Sequence, residues 1–221
     1  MSRLLHVSAS ARGADSHSRR FGGQLVVGLK RRRAFEVIER DLAAEPLPYP
    51  ESAFVSASLM ADRERGPAET AALAVSERLI SELEEADTVV IDTPMHNFTV
   101  PAALKTWIDH VMRPNRTFLS SPDGKVGLLR DRPVYLVIAC GGGFDTGVGR
   151  QEDYLTPYLL YVLSTVGLRD VQTLRLDRLR RGNEALAQAS TLAEEWITNI
   201  LAADDLEAQR GNAGHDDQGD D

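Results

Sequence analysis

Apolar residues recur along this chain at two spacings, close to two residues and close to 3.6, and the two spacings alternate. Leu4-Leu5-His6-Val7 is a short apolar run; after a polar stretch from Ser8 to Asp15, Phe21, Leu25 and Leu29 fall one helical turn apart. That order predicts strand, loop and helix. Residues Ala34 to Arg40 alternate about Phe35 and Val37 and stop at Asp41, which predicts a second strand near a sheet edge. Residues 42 to 66 carry Pro46, Pro48, Pro50 and Gly66 and predict a long excursion with no element of its own. From Pro67 to Glu85, a proline in the first turn and Leu73, Leu79, Ile80 and Leu83 behind it predict a helix.

The second half repeats the pattern. Thr88-Val89-Val90-Ile91 and Val134 to Ala139 are β-branched, apolar runs suited to strands buried on both faces. Between them Pro101 opens a helix with Leu104, Trp107, Ile108 and Val111 at i, i+3, i+4 and i+7. Pro122-Asp123-Gly124, inside residues 117 to 130, predicts a hairpin insertion. A helix from about Leu155 to Val166 ends at Gly167, a fifth strand covers Val171 to Leu176, and a last helix runs from Asn183 to Ala203. Five strands separated by helices require right-handed crossovers, hence an α/β fold with a doubly wound, mostly parallel sheet and helices on both faces. Neither a repeat nor a linker divides the chain, so residues 1–203 read as one domain.

Composition changes this picture at one place. The 221 residues carry a formal net charge of −8, of which residues 204–221 hold −6: seven acids against Arg210. That segment, with Gly211, Gly214 and Gly219, has too few apolar residues to offset its ordering entropy and reads as a disordered acidic tail. A near-neutral body argues against a nucleic-acid partner, and Lys30 to Arg33 and Arg178, Arg180 and Arg181 read as basic residues facing water at element ends. No apolar run approaches the roughly 18 residues of a membrane span, so no membrane partner is expected. With no signal-peptide pattern at Met1–Ser8 and a single cysteine, Cys140, a cytoplasmic protein is the expectation.

In a doubly wound sheet, ligands bind beyond the carboxyl ends of the strands, where strand order reverses. After the first strand, Ser10, Arg12, Ser16, His17 and Ser18 place hydroxyls and a helix start together, which suits a phosphate or plain N-capping by Ser16. After the third, Pro94-Met95-His96-Asn97-Phe98 leads to Pro101, a short rigid loop that suits a planar heteroaromatic ligand or simple packing of Met95 and Phe98. After the fourth, Cys140-Gly141-Gly142-Gly143 lets backbone N–H groups approach a ligand, or is merely flexible, with Cys140 at the strand end. The P-loop, the dinucleotide glycine fingerprint after the first strand, the nucleophile elbow and the common zinc motifs are all missing from the sequence. No catalytic side chain and no metal ligand is therefore assigned.

Taken in order, these loops resemble the flavodoxin-like, FMN-dependent NADH-azoreductases, also described as NADH:quinone oxidoreductases. The resemblance covers about residues 3 to 203. It rests on Ser10 with Ser16-His17-Ser18, Pro94-Met95-His96-Asn97-Phe98, Thr117-Phe118, Gly142-Gly143 and Thr156-Pro157-Tyr158-Leu159. It implies a flavodoxin-like domain with one non-covalent FMN per subunit. The phosphate would lie on Ser10, Ser16, His17 and Ser18, and the isoalloxazine on Pro94, Met95, His96, Asn97, Phe98, Cys140, Gly141, Gly142 and Gly143. It further implies NADH or NADPH as donor, a quinone or azo acceptor handled by Phe98 and Phe118, a ping-pong cycle, and a homodimer whose partner completes each site. The chain departs from the family at His96, often tyrosine, and at Cys140-Gly141, often Ser-Arg. A one-electron flavodoxin-type carrier and a hydrolase of phosphorylated substrates are the rival readings.

Overall fold

A computed structural model describes residues 2–144 and 151–213, without the side chains of 204–213. The predicted strands form one sheet: β1 (Ser2–Ser8), β2 (Phe35–Asp41), β3 (Thr88–Pro94), β6 (Val134–Ala139) and β7 (Val171–Leu176), all parallel, in the order β2-β1-β3-β6-β7. The hairpin forms as β4 (Phe118–Ser121) and β5 (Gly124–Gly127), a separate antiparallel pair. β2 lies at an edge with Glu36 and Glu39 exposed, whereas β3 and β6 are buried almost throughout.

Two-residue alternation splits the inner strands between two cores. Leu5, Val7, Val89, Ile91, Val134, Leu136 and Ile138 face α3 (Pro67–Glu85), α4 (Ala102–Val111) and α5 (Thr156–Val166). Leu4, Val90, Tyr135 and Val137 face α1 (His17–Arg32) and α6 (Asn183–Ala213). A continuous apolar run is thus what a strand covered on both faces needs. On α4, Leu104, Trp107, Ile108 and Val111 are all buried, as their spacing requires.

Two expectations need correction. The stretch 42–66 contains a helix, α2 (Ser52–Leu59), whose Phe54 packs with Ala57 and Leu73 and edge-on against the His110 ring. Eight residues rich in serine give no readable periodicity; the packing against α3 makes the helix. The last helix continues past Ala203 to Ala213, through alanine, leucine, glutamate, glutamine and arginine, all good helix formers. The expected disorder of 214–221 concerns residues outside the described ones.

A polar network is buried between the sheet and α1. The Asp92 carboxylate, fully buried, takes the Ser8 hydroxyl at 2.8 Å and the His6 ring at 2.8 Å, while the other ring nitrogen of His6 meets Glu39 at 2.8 Å. α1 crosses it closely at Gly22, where a Cβ would lie 2.8 Å from the Asp92 Cβ. Burial pushes the His6 imidazolium down, but hydrogen bonds and charges from Asp92 and Glu39 outweigh it and raise its pKa to about 9. A raised folded-state pKa gives stability that is complete below the unfolded value near 6.5 and is lost as pH rises through about 9. The loss has an upper bound of about 3 kcal/mol. In urea denaturation, the wild-type protein is expected to lose more stability between pH 7 and pH 10 than His6→Gln, whose stability is lower at pH 7.

Candidate active site

The loops leaving β1, β3 and β6 meet at one edge of the sheet. In the first, Ser16 is the N-cap of α1, its hydroxyl accepting from the Arg19 N–H at 3.3 Å and lying 3.1 Å from the Ser18 hydroxyl. Capping is thus real, and it leaves the other N–H groups of the first turn directed out of the helix start. Ser10, Ser16 and Ser18 are all buried, and the Ser10 hydroxyl accepts from the Arg12 N–H at 3.4 Å. Arg19 braces this loop from behind. It donates to the Ser10 carbonyl at 2.7 Å and forks onto Asp41 at 2.5 and 2.6 Å, holding that carboxyl far below the usual carboxylate range. Partial burial, then the charges of Arg20 and Arg12, lower the His17 pKa. His17 is neutral at pH 7 and sits in positive potential.

The second loop is a tight turn. His96 and Thr99 exchange backbone hydrogen bonds at 2.9 and 3.0 Å around Asn97 at φ 48° and Phe98 at φ 72°. Two successive positive φ values are normally supplied by asparagine and glycine; a phenylalanine there is an outlier that costs roughly 1–2 kcal/mol. The strain turns Phe98 outward, where it is 52% exposed.

The third loop lies opposite. The Cys140 and Met95 sulfurs approach to 3.7 Å, and the Gln151 amide points at both, 2.9 Å from Cys140 Sγ and 3.2 Å from Met95 Sδ. Gln151 can lie there because residue 142 is glycine: a Cβ on Gly142 would fall 2.0 Å from the Gln151 amide oxygen.

Between these loops is a crevice of two joined lobes. The larger, about 400 Å³, lies between Met95–Phe98 and Cys140–Gly142; the smaller, about 130 Å³, runs from Ser10, Ser16 and His17 to Pro94, Met95 and Cys140. Met95, His96, Cys140 and Gly141 line both. The sequence-derived residues are therefore brought together with three exceptions. Ser18 sits behind Ser16, and Gly143 is buried with its carbonyl accepting from the Gln151 N–H at 3.1 Å. Phe118 is 8% exposed under the Lys125 ammonium and lines neither lobe. Residues 145–149 of the glycine-rich loop lie outside the described ones.

Among the lining residues, Gln151, Leu179 and Arg180 escaped sequence reasoning. Arg180 belongs to a basic run read as solvated, yet its side chain lies along Gly141 and lines both lobes. Among the described residues, no Asp, Glu, Ser or Lys in the larger lobe is placed to act as nucleophile or base, and no cluster of metal-ligand type exists.

Comparison with known proteins fixes the relationship. Residues 2–200 match the family described by the flavodoxin-like fold. Over 201 residues the chain is 53% identical to FMN-dependent NADH:quinone oxidoreductase 2 of Cupriavidus pinatubonensis, covering 90% of this chain and 98% of that one. The chain belongs to the flavodoxin-like family of FMN-dependent NADH:quinone oxidoreductases. FMN-dependent NADH:quinone oxidoreductase 4 of Pseudomonas fluorescens is 48% identical over 187 residues, 84% of this chain and 89% of that one. Among solved structures, an azoreductase from Bacillus anthracis superposes with a TM-score of 0.79 at 25% identity, covering 93% of this chain and 99% of that one. Membership explains the strand order and the crevice at its reversal.

The turn makes a testable demand. Phe98→Ala removes the ring and keeps the strained backbone, whereas Phe98→Gly removes both. Phe98→Gly is expected to be the more stable variant by about 1 kcal/mol, a difference of roughly 2–4 °C in Tm. Equal melting temperatures in calorimetry would contradict the strain.

Proposed function

We propose that this protein is an FMN-dependent oxidoreductase that passes two electrons from NADH to quinones and azo compounds. The observation that carries it is the single crevice joining a helix N-terminus lined by serine hydroxyls to a lobe walled by Met95, Asn97, Phe98 and glycine backbone. A phosphate needs the first end and a flat ring needs the second. The donor set fits FMN: small hydroxyl residues at Ser10, Ser16 and Ser18, positive potential at His17, and glycines that admit close approach.

FMN supplies the hydride chemistry when bound. The chain's own residues bind and orient. Ser10, Ser16 and His17, with the first turn of α1, hold the phosphate, and Ser18 backs the Ser16 hydroxyl from behind; Arg19 fixes Ser10 through its carbonyl and is itself held by Asp41. Met95 and Cys140 place two sulfurs 3.7 Å apart on the wall shared by the two lobes. The N–H groups of Asn97, Phe98, Gly141 and Gly142, on residues that line the larger lobe, are the backbone donors offered to the ring edge, and Phe98 stands exposed where a flat acceptor would stack. Donor and acceptor use this one opening in turn, which makes the cycle ping-pong, with NADPH as the alternative donor. The purified protein is expected to be yellow, to release FMN on denaturation and to oxidise NADH when a quinone is added. Replacing Ser16 and Ser18 together with alanine removes the Ser16 hydroxyl contact to a charged group, about 1.5–3 kcal/mol, along with the hydroxyl that backs it. FMN affinity, measured by fluorescence titration, is expected to fall at least tenfold; unchanged affinity in a folded variant would sink the site.

The active form is proposed to be a homodimer acting in the cytoplasm. Phe98 and Tyr154, tied by the Tyr154 N–H on the Phe98 carbonyl, stand 52% and 62% exposed beside the opening, and Tyr161 on α5 is 67% exposed, apolar surface that a partner would cover. Trp107 is buried in the core and takes no part in this surface. On the hairpin, Leu119, Val126 and Leu128, rather than Phe118, are available to a partner. No helix among the described residues is long and apolar enough to cross a membrane. Light scattering is expected to give twice the monomer mass at assay concentration; a fully active monomer would refute the shared site.

A further inference from the structure

We propose that Arg180 is the positioning residue that stabilises the negative charge arriving at the ring end of the crevice during reduction, and so sets the potential of the bound flavin. The inference rests on the site proposed above. Its starting point is charge. The described residues lining the larger lobe include one fixed charge, Arg180, and no carboxylate. Arg180 also borders the smaller lobe, together with Arg12, but Arg12 stays at the serine end, whereas Arg180 alone of the two reaches the lobe between Met95–Phe98 and Cys140–Gly142.

Several features of the fold hold Arg180 there. The segment after β7 is laced to the glycine loop by backbone bonds from the Arg178 N–H to the Gly142 carbonyl at 2.7 Å and from the Leu179 N–H to the Cys140 carbonyl at 3.1 Å. Arg178 takes a left-handed φ of 57° to make the turn, closed by the Arg181 N–H on the Arg178 carbonyl at 2.8 Å. Arg180 then runs over residue 141, where its Cδ and Cγ lie 3.0 and 3.1 Å from the place a Cβ would occupy. A side chain on residue 141 would press against the arginine stem and push it aside by a few tenths of an ångström. Its guanidinium is exposed and has no hydrogen bond or ion pair with the other described residues. An arginine merely solvated would need neither the lacing nor the glycine.

Elementary charge balance states what such a cation does. A hydride carries two electrons and one proton from the donor, which is oxidised to its cation. The acceptor ring is neutral when oxidised, so it holds one net negative charge until solvent delivers a second proton. Arg180 opposes that charge in a lobe with no competing acid, and a cation that favours the reduced state more than the oxidised one raises the potential.

The test uses the FMN-loaded enzyme with Arg180→Met, which keeps an apolar stem over Gly141, and Arg180→Lys, which keeps the charge. Affinities for oxidised and reduced FMN and the midpoint potential are measured for each. Arg180→Met is expected to bind oxidised FMN within about threefold of wild type and reduced FMN at least tenfold more weakly. For a two-electron couple the potential follows the ratio of the two changes: it falls by about 30 mV if the affinity for oxidised FMN is unchanged and by about 15 mV if that affinity also falls threefold. Arg180→Lys is expected to keep most of the wild-type potential. Equal weakening of both redox states, with riboflavin binding unaffected, would make Arg180 a phosphate ligand and overturn the proposal. An unchanged potential with a raised KM for NADH would make it a donor-binding residue and overturn the proposal equally. Unchanged potential and affinities would return it to a solvated arginine and refute the role. If FMN binds elsewhere altogether, the Ser16/Ser18 double variant also keeps its affinity; if only this inference fails, that variant loses it.

Discussion

Strands β1 and β3 lie side by side, yet the chain leaves them toward opposite faces of the sheet: β1 feeds α1, on the face shared with α6, and β3 feeds α4, on the face shared with α3 and α5. Two loops that must part in this way cannot cover the strand ends between them, and a crevice opens at that edge. Everything chemical in the molecule is arranged around this opening. The serine loop is one lip, the strained turn at Asn97-Phe98 rises at the other, and the glycine loop after β6 closes the third side. Because the strands are parallel, every outgoing loop reaches the same edge, so residues more than eighty positions apart meet without any long-range device.

The arrangement has an electrostatic consequence. A helix start that accepts an anion should not sit over a bare carboxylate, and Asp92, fully buried, lies directly beneath α1 at Gly22. The network resolves the conflict. The imidazolium of His6 faces Asp92 on one side and Glu39 on the other, and the Ser8 hydroxyl takes the remaining oxygen, so the charge is met before it can oppose the helix dipole. Arg19 repeats the tactic one layer out, committing its guanidinium to Asp41 and its Nε to the Ser10 carbonyl. Positive potential at the loop is left to Arg12, Arg20 and the helix start, and the two arginines add to partial burial in lowering the pKa of His17.

The sheet and its helices were legible because burial on both faces imposes a pattern. The runs Val89–Ile91 and Val134–Ile138 and the α4 stripe through Trp107 have one reading each. Helix α2 had no such pattern, since Phe54 and Ala57 are its main buried apolar residues while Val55 and Leu59 face water. The site divides the same way. Loop residues next to strand ends could be named from their position, and Ser10, Ser16, Met95 and Cys140 do line the crevice. What sequence cannot reveal is which distant side chain folds across a glycine. Arg180 and Gln151 lie on Gly141 and Gly142 through loops whose path depends on φ values and backbone bonds, and in the sequence Arg180 is one of three arginines at a strand end.

Those two crossings change how the glycines are understood. A glycine pair beside a ligand site is usually explained by the ligand's need for bare backbone, and here each glycine also admits a particular side chain of the same protein. The departure at Cys140-Gly141 bears on this. A side chain on residue 141 would crowd the Arg180 stem, which reaches the same wall of the lobe from the loop after β7. A change at residue 141 is therefore coupled to residue 180, and the pair is the unit in which the charge of this lobe has to be considered.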